Sequence, residues 1–139
     1  MSGGCVFCRI VKGEIPAHKV YEDEHVVAFL DIYPINPGHT LIVPKEHYER
    51  LEDVPPEVLA AMMRAAARLA PAVLRATGAE GYNLVVNVGR AAGQEIMHVH
   101  LHLIPRRSGD GCKIMACQRS KPSDEELAKV AEAIRRELG

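Results

Sequence analysis

Apolar residues along this chain follow two rhythms. Short runs rich in β-branched and aromatic residues occupy residues 18–22, 25–30, 39–44, 82–88 and 97–106. Polar or glycine- and proline-rich turns separate most of them, so they read as strands. The first two flank Asp23-Glu24, and Pro44 stops the third. In the fifth, Val99, Leu101 and Leu103 alternate with His98, His100 and His102. A period of two predicts that the aliphatic set faces a core while the three histidines share the opposite face, at about 6–7 Å per step. The second rhythm is helical. Leu59, Met62, Met63, Ala66, Ala70, Val73 and Leu74 recur at spacings of mostly three and four residues and predict one long helix with a core-facing stripe. Asp53 is its candidate cap, Pro55-Pro56-Glu57 its first turn, and Gly78 its end.

Shorter signals complete the list of elements. Residues 6–12 suit a short helix ended by Glu14-Ile15-Pro16, and Ser123-x-x-Glu126 is a capping box for a helix running to about Leu138. Residues 31–38 and 89–95 are loops, set by prolines and glycines. Strands and helices do not alternate regularly. An α+β fold is therefore expected: an antiparallel five-stranded sheet with one long helix and a C-terminal helix. The 139 residues suit one domain spanning residues 1–139, and a 47% hydrophobic content supplies a core.

Charge changes the picture mainly by exclusion. The net charge is −1 with both signs interspersed, so no basic nucleic-acid footprint is present. No apolar run is long enough to span a membrane, and Met1-Ser2-Gly3-Gly4 does not open a signal peptide. A soluble cytoplasmic protein is expected. Cys5, Cys8, Cys112 and Cys117 are then free thiols or metal ligands rather than disulfides. Cys5-Val6-Phe7-Cys8 has the spacing of a metal knuckle or a redox pair, and the lack of a preceding strand favours metal. Cys112 and Cys117 find no histidine partner and read as core or loop thiols.

Three imidazoles alternating between aliphatic residues call for chemistry, because unpartnered polar groups on a buried strand are costly. The preceding loop, Gly89 to Glu95, can offer backbone N–H groups to an anion and delivers its end to the histidines. Neither a P-loop nor a dinucleotide-binding glycine pattern is present.

These residues resemble the histidine-triad family. His98-Val99-His100-Leu101-His102-Leu103-Ile104 matches the pattern His-φ-His-φ-His-φ-φ throughout. Further matching blocks are Phe7-Cys8-Arg9-Ile10, Ala28 to Ile32, Asn36-Pro37-Gly38-His39, Leu41 to Lys45, Asn87-Val88-Gly89 and Ala92-Gly93-Gln94. The likeness is greatest to small prokaryotic members of the nucleoside-phosphoramidase-like branch.

The resemblance implies a nucleotide hydrolase or transferase acting at the α-phosphate of an adenosine or other purine nucleotide. His100 would be the nucleophile, forming a covalent nucleotidyl-histidine, with His39 and His102 orienting the site and no catalytic metal required. Phe7, Ile10, Phe29 and Ile32 would hold the base, Asp31 the ribose hydroxyls, and Asn87 a place near the α-phosphate. Gly93, Gln94, Glu95 and His98 would complete the substrate site, with amides near Gln94 and Glu95 stabilising the transition state. Glu95 departs from the Ser or Thr found in several members, and a carboxylate there would repel a phosphate unless turned away or protonated. Cys5, Cys8, His47 and His98 match a structural zinc set. A homodimer is also implied. A non-catalytic nucleotide-binding module is the alternative. His18 and His25 match no functional position and read as surface residues. Arg106 and Arg107 would face a dimer partner, a polyphosphate tail or solvent.

Overall fold

The computed structural model describes residues 4–112 and 121–138. Cys117 lies outside the described residues. The chain runs α1 (Val6–Val11), β1 (Lys19–Glu22), β2 (Val26–Leu30), β3 (Thr40–Pro44), α2 (Pro56–Thr77), β4 (Gly81–Val86), β5 (Leu101–Arg106) and α3 (Asp124–Leu138). The five strands form one antiparallel sheet in the order β1-β2-β3-β5-β4. This is the α+β architecture that the sequence implies. No described helix is long and apolar enough to cross a membrane.

The sheet separates two cores, and alternation along the strands decides which residue joins which. Val26, Ala28, Ile42, Val99, Leu101 and Leu103 pack with Val58, Ala61, Met62, Ala65 and Leu69 of α2. Val27, Phe29, Leu41 and Val43 point the other way and bury Phe7 and Ile10 of α1. Thus the aliphatic partners of the histidines serve the α2 core, as the period of two requires.

Three expectations need correction. The ladder of β5 begins at Leu101, so only His102 lies in regular strand, and His98 and His100 precede it. Asp53 does not cap α2; its carboxylate accepts the Arg50 N–H at 3.3 Å inside a 3-10 turn, while Pro55 opens the helix with no side-chain cap. The stripe of α2 is buried only in part as expected: Met62, Ala66 and Ala70 are buried, Val58, Ala61, Ala65 and Leu69 join them, and Met63 is 55% exposed. Alanine is apolar enough to sit at the sheet, and its small size lets α2 approach closely. The buried stripe therefore carries four alanines alongside Val58, Met62 and Leu69. The Ser123–Glu126 capping box forms reciprocally, at 3.0 and 3.1 Å.

Gly38 is fixed by its surroundings. Its φ is +94°, and a Cβ there would lie 2.7 Å from Thr77 Cγ2. Glycine thus lets the 31–38 loop rest on the end of α2.

Candidate active site and metal centre

A cavity of about 430 Å³ lies on the α1 side of the sheet. Phe7 and Ile10 of α1 and Phe29 of β2 supply apolar walls, and the loop after β2 adds Asp31, Ile32 and Tyr33. Asn87, Gly93 and Glu95 come from the connection between β4 and β5, and His100 and His102 close the floor. His39, Gln94 and His98 do not line this cavity. Each holds a neighbour in place instead.

Hydrogen bonds define where the protons sit. His100 Nδ1 lies 2.7 Å from the His98 carbonyl oxygen, which can only accept, so Nδ1 carries the proton. The neutral ring then keeps its lone pair on Nε2. His39 Nδ1 accepts the Ile35 N–H at 3.0 Å, so the neutral His39 ring carries its proton on Nε2 and donates to His102 Nδ1 at 3.0 Å. His102 must then hold its own proton on Nε2. The cavity therefore contains a lone pair on His100 and a donor on His102, with ring centroids 4.8 Å apart. Burial lowers the pKa of His39 and His100 and brings that of His102 to about 4, keeping all three neutral near pH 7.

Asp31 sits beside this relay. One carboxylate oxygen accepts the Tyr33 N–H at 2.9 Å, and the other lies 3.6 Å from His39 Nε2. Asp31, His39 and His102 are close enough to suggest a cation site. The tautomer argues otherwise: the Ile35 N–H leaves no lone pair at Nε2 of neutral His39.

Gln94 plays a structural part the sequence did not reveal. Its side chain is buried, accepts the Gly89 N–H at 2.7 Å and donates to the carbonyls of Glu49 and Ile96 at 2.9 and 3.1 Å. Its backbone N–H donates to Gly89 O at 3.1 Å, and those of Ala92 and Gly93 also bond within the loop. The loop clasps itself, so these amides are not available to an anion. Among the described residues the Glu95 N–H has no backbone partner.

A second cluster lies behind the cavity. Cys5, Cys8, His47 and His98 bring one ligand atom each to within 4.8 Å of one another. Cys5 Sγ and Cys8 Sγ lie 3.4 and 3.5 Å from His98 Nδ1, and Cys8 Sγ lies 3.3 Å from His47 Nδ1. Tetrahedral zinc at its usual bond lengths would separate sulfur from nitrogen by about 3.6 Å. His98 Nε2 donates to Pro44 O at 2.8 Å, which turns the lone pair of Nδ1 towards the thiols. Burial, with help from Cys5, pushes the Cys8 thiol up to about 11, a cost that a dication ligated by the thiolate removes. The donor set fits zinc.

The other candidates are structural or peripheral. His18 is exposed, and His25 pairs with Glu24 at 3.3 Å. Arg106 is half-buried and held within the chain: it donates to Asp110, Asn83 and the Cys112 carbonyl, tying β5 to β4 and the following turn. Arg107 donates to Thr77 O. Cys112 is a loop thiol.

A sheet that carries clustered histidines beside an apolar cavity, with a Cys2His2 set behind them, defines a histidine-site protein of known type. The family model for the HIT domain matches residues 12–109, and the chain belongs to this family. An adenylylsulfatase of Arabidopsis thaliana is 42% identical over 99% of this chain and 71% of its own length. An adenosine 5′-monophosphoramidase of Saccharomyces cerevisiae is 41% identical over 94% of this chain and 80% of its own length. The crystal structure of a zinc-bound histidine triad family protein from Mycobacterium smegmatis superposes with a TM-score of 0.77 at 42% identity, covering 99% of this chain and 97% of that one.

Proposed function

We propose that this protein is a nucleotide hydrolase or transferase that works through a covalent nucleotidyl-His100. One observation carries the reading: the Nδ1–H bond from His100 to the His98 carbonyl leaves the Nε2 lone pair free in the cavity. In the first step Nε2 forms a bond to the α-phosphorus. The bond from phosphorus to the leaving group breaks, and the leaving group departs with the electron pair. His102 Nε2–H is placed to donate a hydrogen bond to the departing atom or a phosphate oxygen, and the leaving group takes its proton from water. In the second step water forms a P–O bond, the N–P bond breaks, and the nucleoside monophosphate is released. Splitting one displacement into two lowers each barrier.

The walls support a purine nucleoside as the recognised part. Phe7, Phe29, Ile10 and Ile32 offer apolar and aromatic surface, and Asp31 offers a carboxylate oxygen suited to ribose hydroxyls. Asn87, Gly93 and Glu95 stand beside the expected phosphate position. The named relatives, an adenylylsulfatase and an adenosine monophosphoramidase, support adenosine. Zinc held by Cys5, Cys8, His47 and His98 would supply a structural crosslink and no part of the transfer. A homodimer belongs to the same reading and rests on the family resemblance.

The test is AMP release from adenosine phosphoramidate and from a diadenosine polyphosphate, for the wild type and His100→Ala. Turnover should fall by about a thousandfold or more in the variant, with adenylate trapped on His100 in the wild type. Glu95 favours a second reading, because an acidic residue lines the cavity along with His100. That reading, a binding module without catalysis, wins if AMP binds and any turnover is unchanged by His100→Ala.

A further inference from the structure

The Cys2His2 cluster and the cavity share parts, and that sharing goes beyond a crosslink. Cys5 and Cys8 bracket Val6 and Phe7 at the start of α1, and Val6, Phe7 and Ile10 line the cavity. This helix has only six residues and no side-chain cap. A helix that short has little stability of its own. Its position rests on burial of Phe7 and Ile10 against the sheet and on the two thiols facing His47 and His98.

His98 links the cluster to the reacting ring by a second route. Nδ1 faces the thiols, Nε2 donates to Pro44 O, and the carbonyl accepts the His100 Nδ1–H. Both ring nitrogens are engaged, which fixes the residue whose carbonyl selects the His100 tautomer. Phe7 makes a third connection. Its ring stands edge-on to His98 at 5.8 Å and to His100 at 5.0 Å, and also meets Phe29 at 5.5 Å. A shift of α1 therefore moves the base wall and the packing of the nucleophile together.

We propose that the Cys5–Cys8–His47–His98 centre is a positioning device for the nucleotide cavity, so that metal binding and nucleotide binding reinforce each other. Phe7 and His98 act as positioning residues through α1 and through His100. The inference rests on the nucleotide reading of the cavity. Coupling between two sites is reciprocal. If zinc organises the cavity, AMP must tighten zinc by the same factor that zinc tightens AMP.

The test uses the metal-loaded, folded protein. Zinc affinity is measured by chelator competition with and without saturating AMP. AMP should tighten zinc by about fivefold or more, within the usual range of coupling between sites. In the cobalt-substituted protein, AMP should also shift the d–d absorption bands. Equal zinc affinities and unchanged bands, with AMP shown to be bound, would overturn the proposal. A second measurement compares His100 ring-nitrogen NMR shifts in the zinc- and cadmium-loaded proteins, since cadmium's longer bonds displace the ligands. Shifts at His100 as well as at His47 and His98 support the coupling; movement confined to the ligands overturns it. Failure of AMP to bind the loaded protein would remove the nucleotide reading, while the His100 shifts would still decide whether the metal centre positions that ring.

Discussion

Gly38→Ala tests how the 31–38 loop is held above the cavity. The added methyl would meet Thr77 Cγ2 at 2.7 Å, Val73 Cγ1 at 3.2 Å and Pro105 Cγ at 3.4 Å, on backbone with φ of +94°. Alanine in that conformation costs about 1–2 kcal/mol, and crowding in a packed region typically adds about 1–3 kcal/mol. A destabilisation of about 3 kcal/mol is expected. For 139 residues, the usual unfolding entropy turns this into a fall in Tm of about 10 °C. The two parts separate in a double-mutant cycle. Thr77→Ser removes Cγ2 but keeps the hydroxyl that donates to Val73 O at 2.8 Å. In that background Gly38→Ala should cost only the backbone part plus the milder contacts, so at least 1 kcal/mol should be recovered as coupling energy. Thermal melts and urea titrations of the four proteins give the cycle. A Tm change below about 2 °C for Gly38→Ala would refute the close approach, and strict additivity with Thr77→Ser would refute the assignment of the clash to that methyl. The loop carries Asp31 and the Ile35 N–H that orients His39, so weakened nucleotide binding should accompany the loss of stability.

Two further outcomes follow from other contacts. Asp110 is held well below the usual aspartate value by Arg106, with N–H groups of Cys112, Arg107 and Asn36 adding to the effect. A depressed carboxyl stabilises the fold above its ordinary value of 3.8 and loses that contribution as pH falls towards its folded value. The Tm gap between wild type and Asp110→Asn should therefore be widest above about pH 5 and narrow below pH 4; a gap independent of pH would contradict the ion pair. Gln94→Ala leaves the Gly89 N–H and the carbonyls of Glu49 and Ile96 without the side chain that binds them. A loss of about 2–3 kcal/mol is expected, with turnover falling about tenfold as Gly93 and Glu95 lose their fixed place; unchanged melting and turnover would show that the clasp is dispensable.

Much of this fold is written in local periodicity. The alternation from Val99 to Leu103 divides the two cores, and Gly78 and the Ser123–Glu126 box mark helix ends where the structure has them. Of the metal set, only the Cys5–Cys8 spacing is legible in the residues themselves; His47 and His98 joined it through the family resemblance, and the structure brings the four ligand atoms within 4.8 Å of one another. What escaped depends on tertiary partners. Asp53 has the chemistry of a cap, but a 3-10 turn claims it before α2 begins. Gln94 is chemically plain in sequence, and only the approach of Glu49 and Ile96 makes it a clasp. Arg106 gives no sign that Asp110 and Asn83 will surround it. The burial of Ala61 and Ala65 in α2, and the exposure of Met63, follow from how the helix meets the sheet, which no single helix encodes.

The relay through His39 and His102 begins at the Ile35 amide, and the tautomer of His100 is set by the carbonyl of His98. Both ends are main chain. Peptide groups neither titrate nor change with most side-chain substitutions, so the bookkeeping of protons here is stored where ordinary mutation does not reach. The site can drift in the residues that line its apolar walls while keeping the same donor and the same lone pair. A substitution scan would find the histidines and miss what assigns their roles.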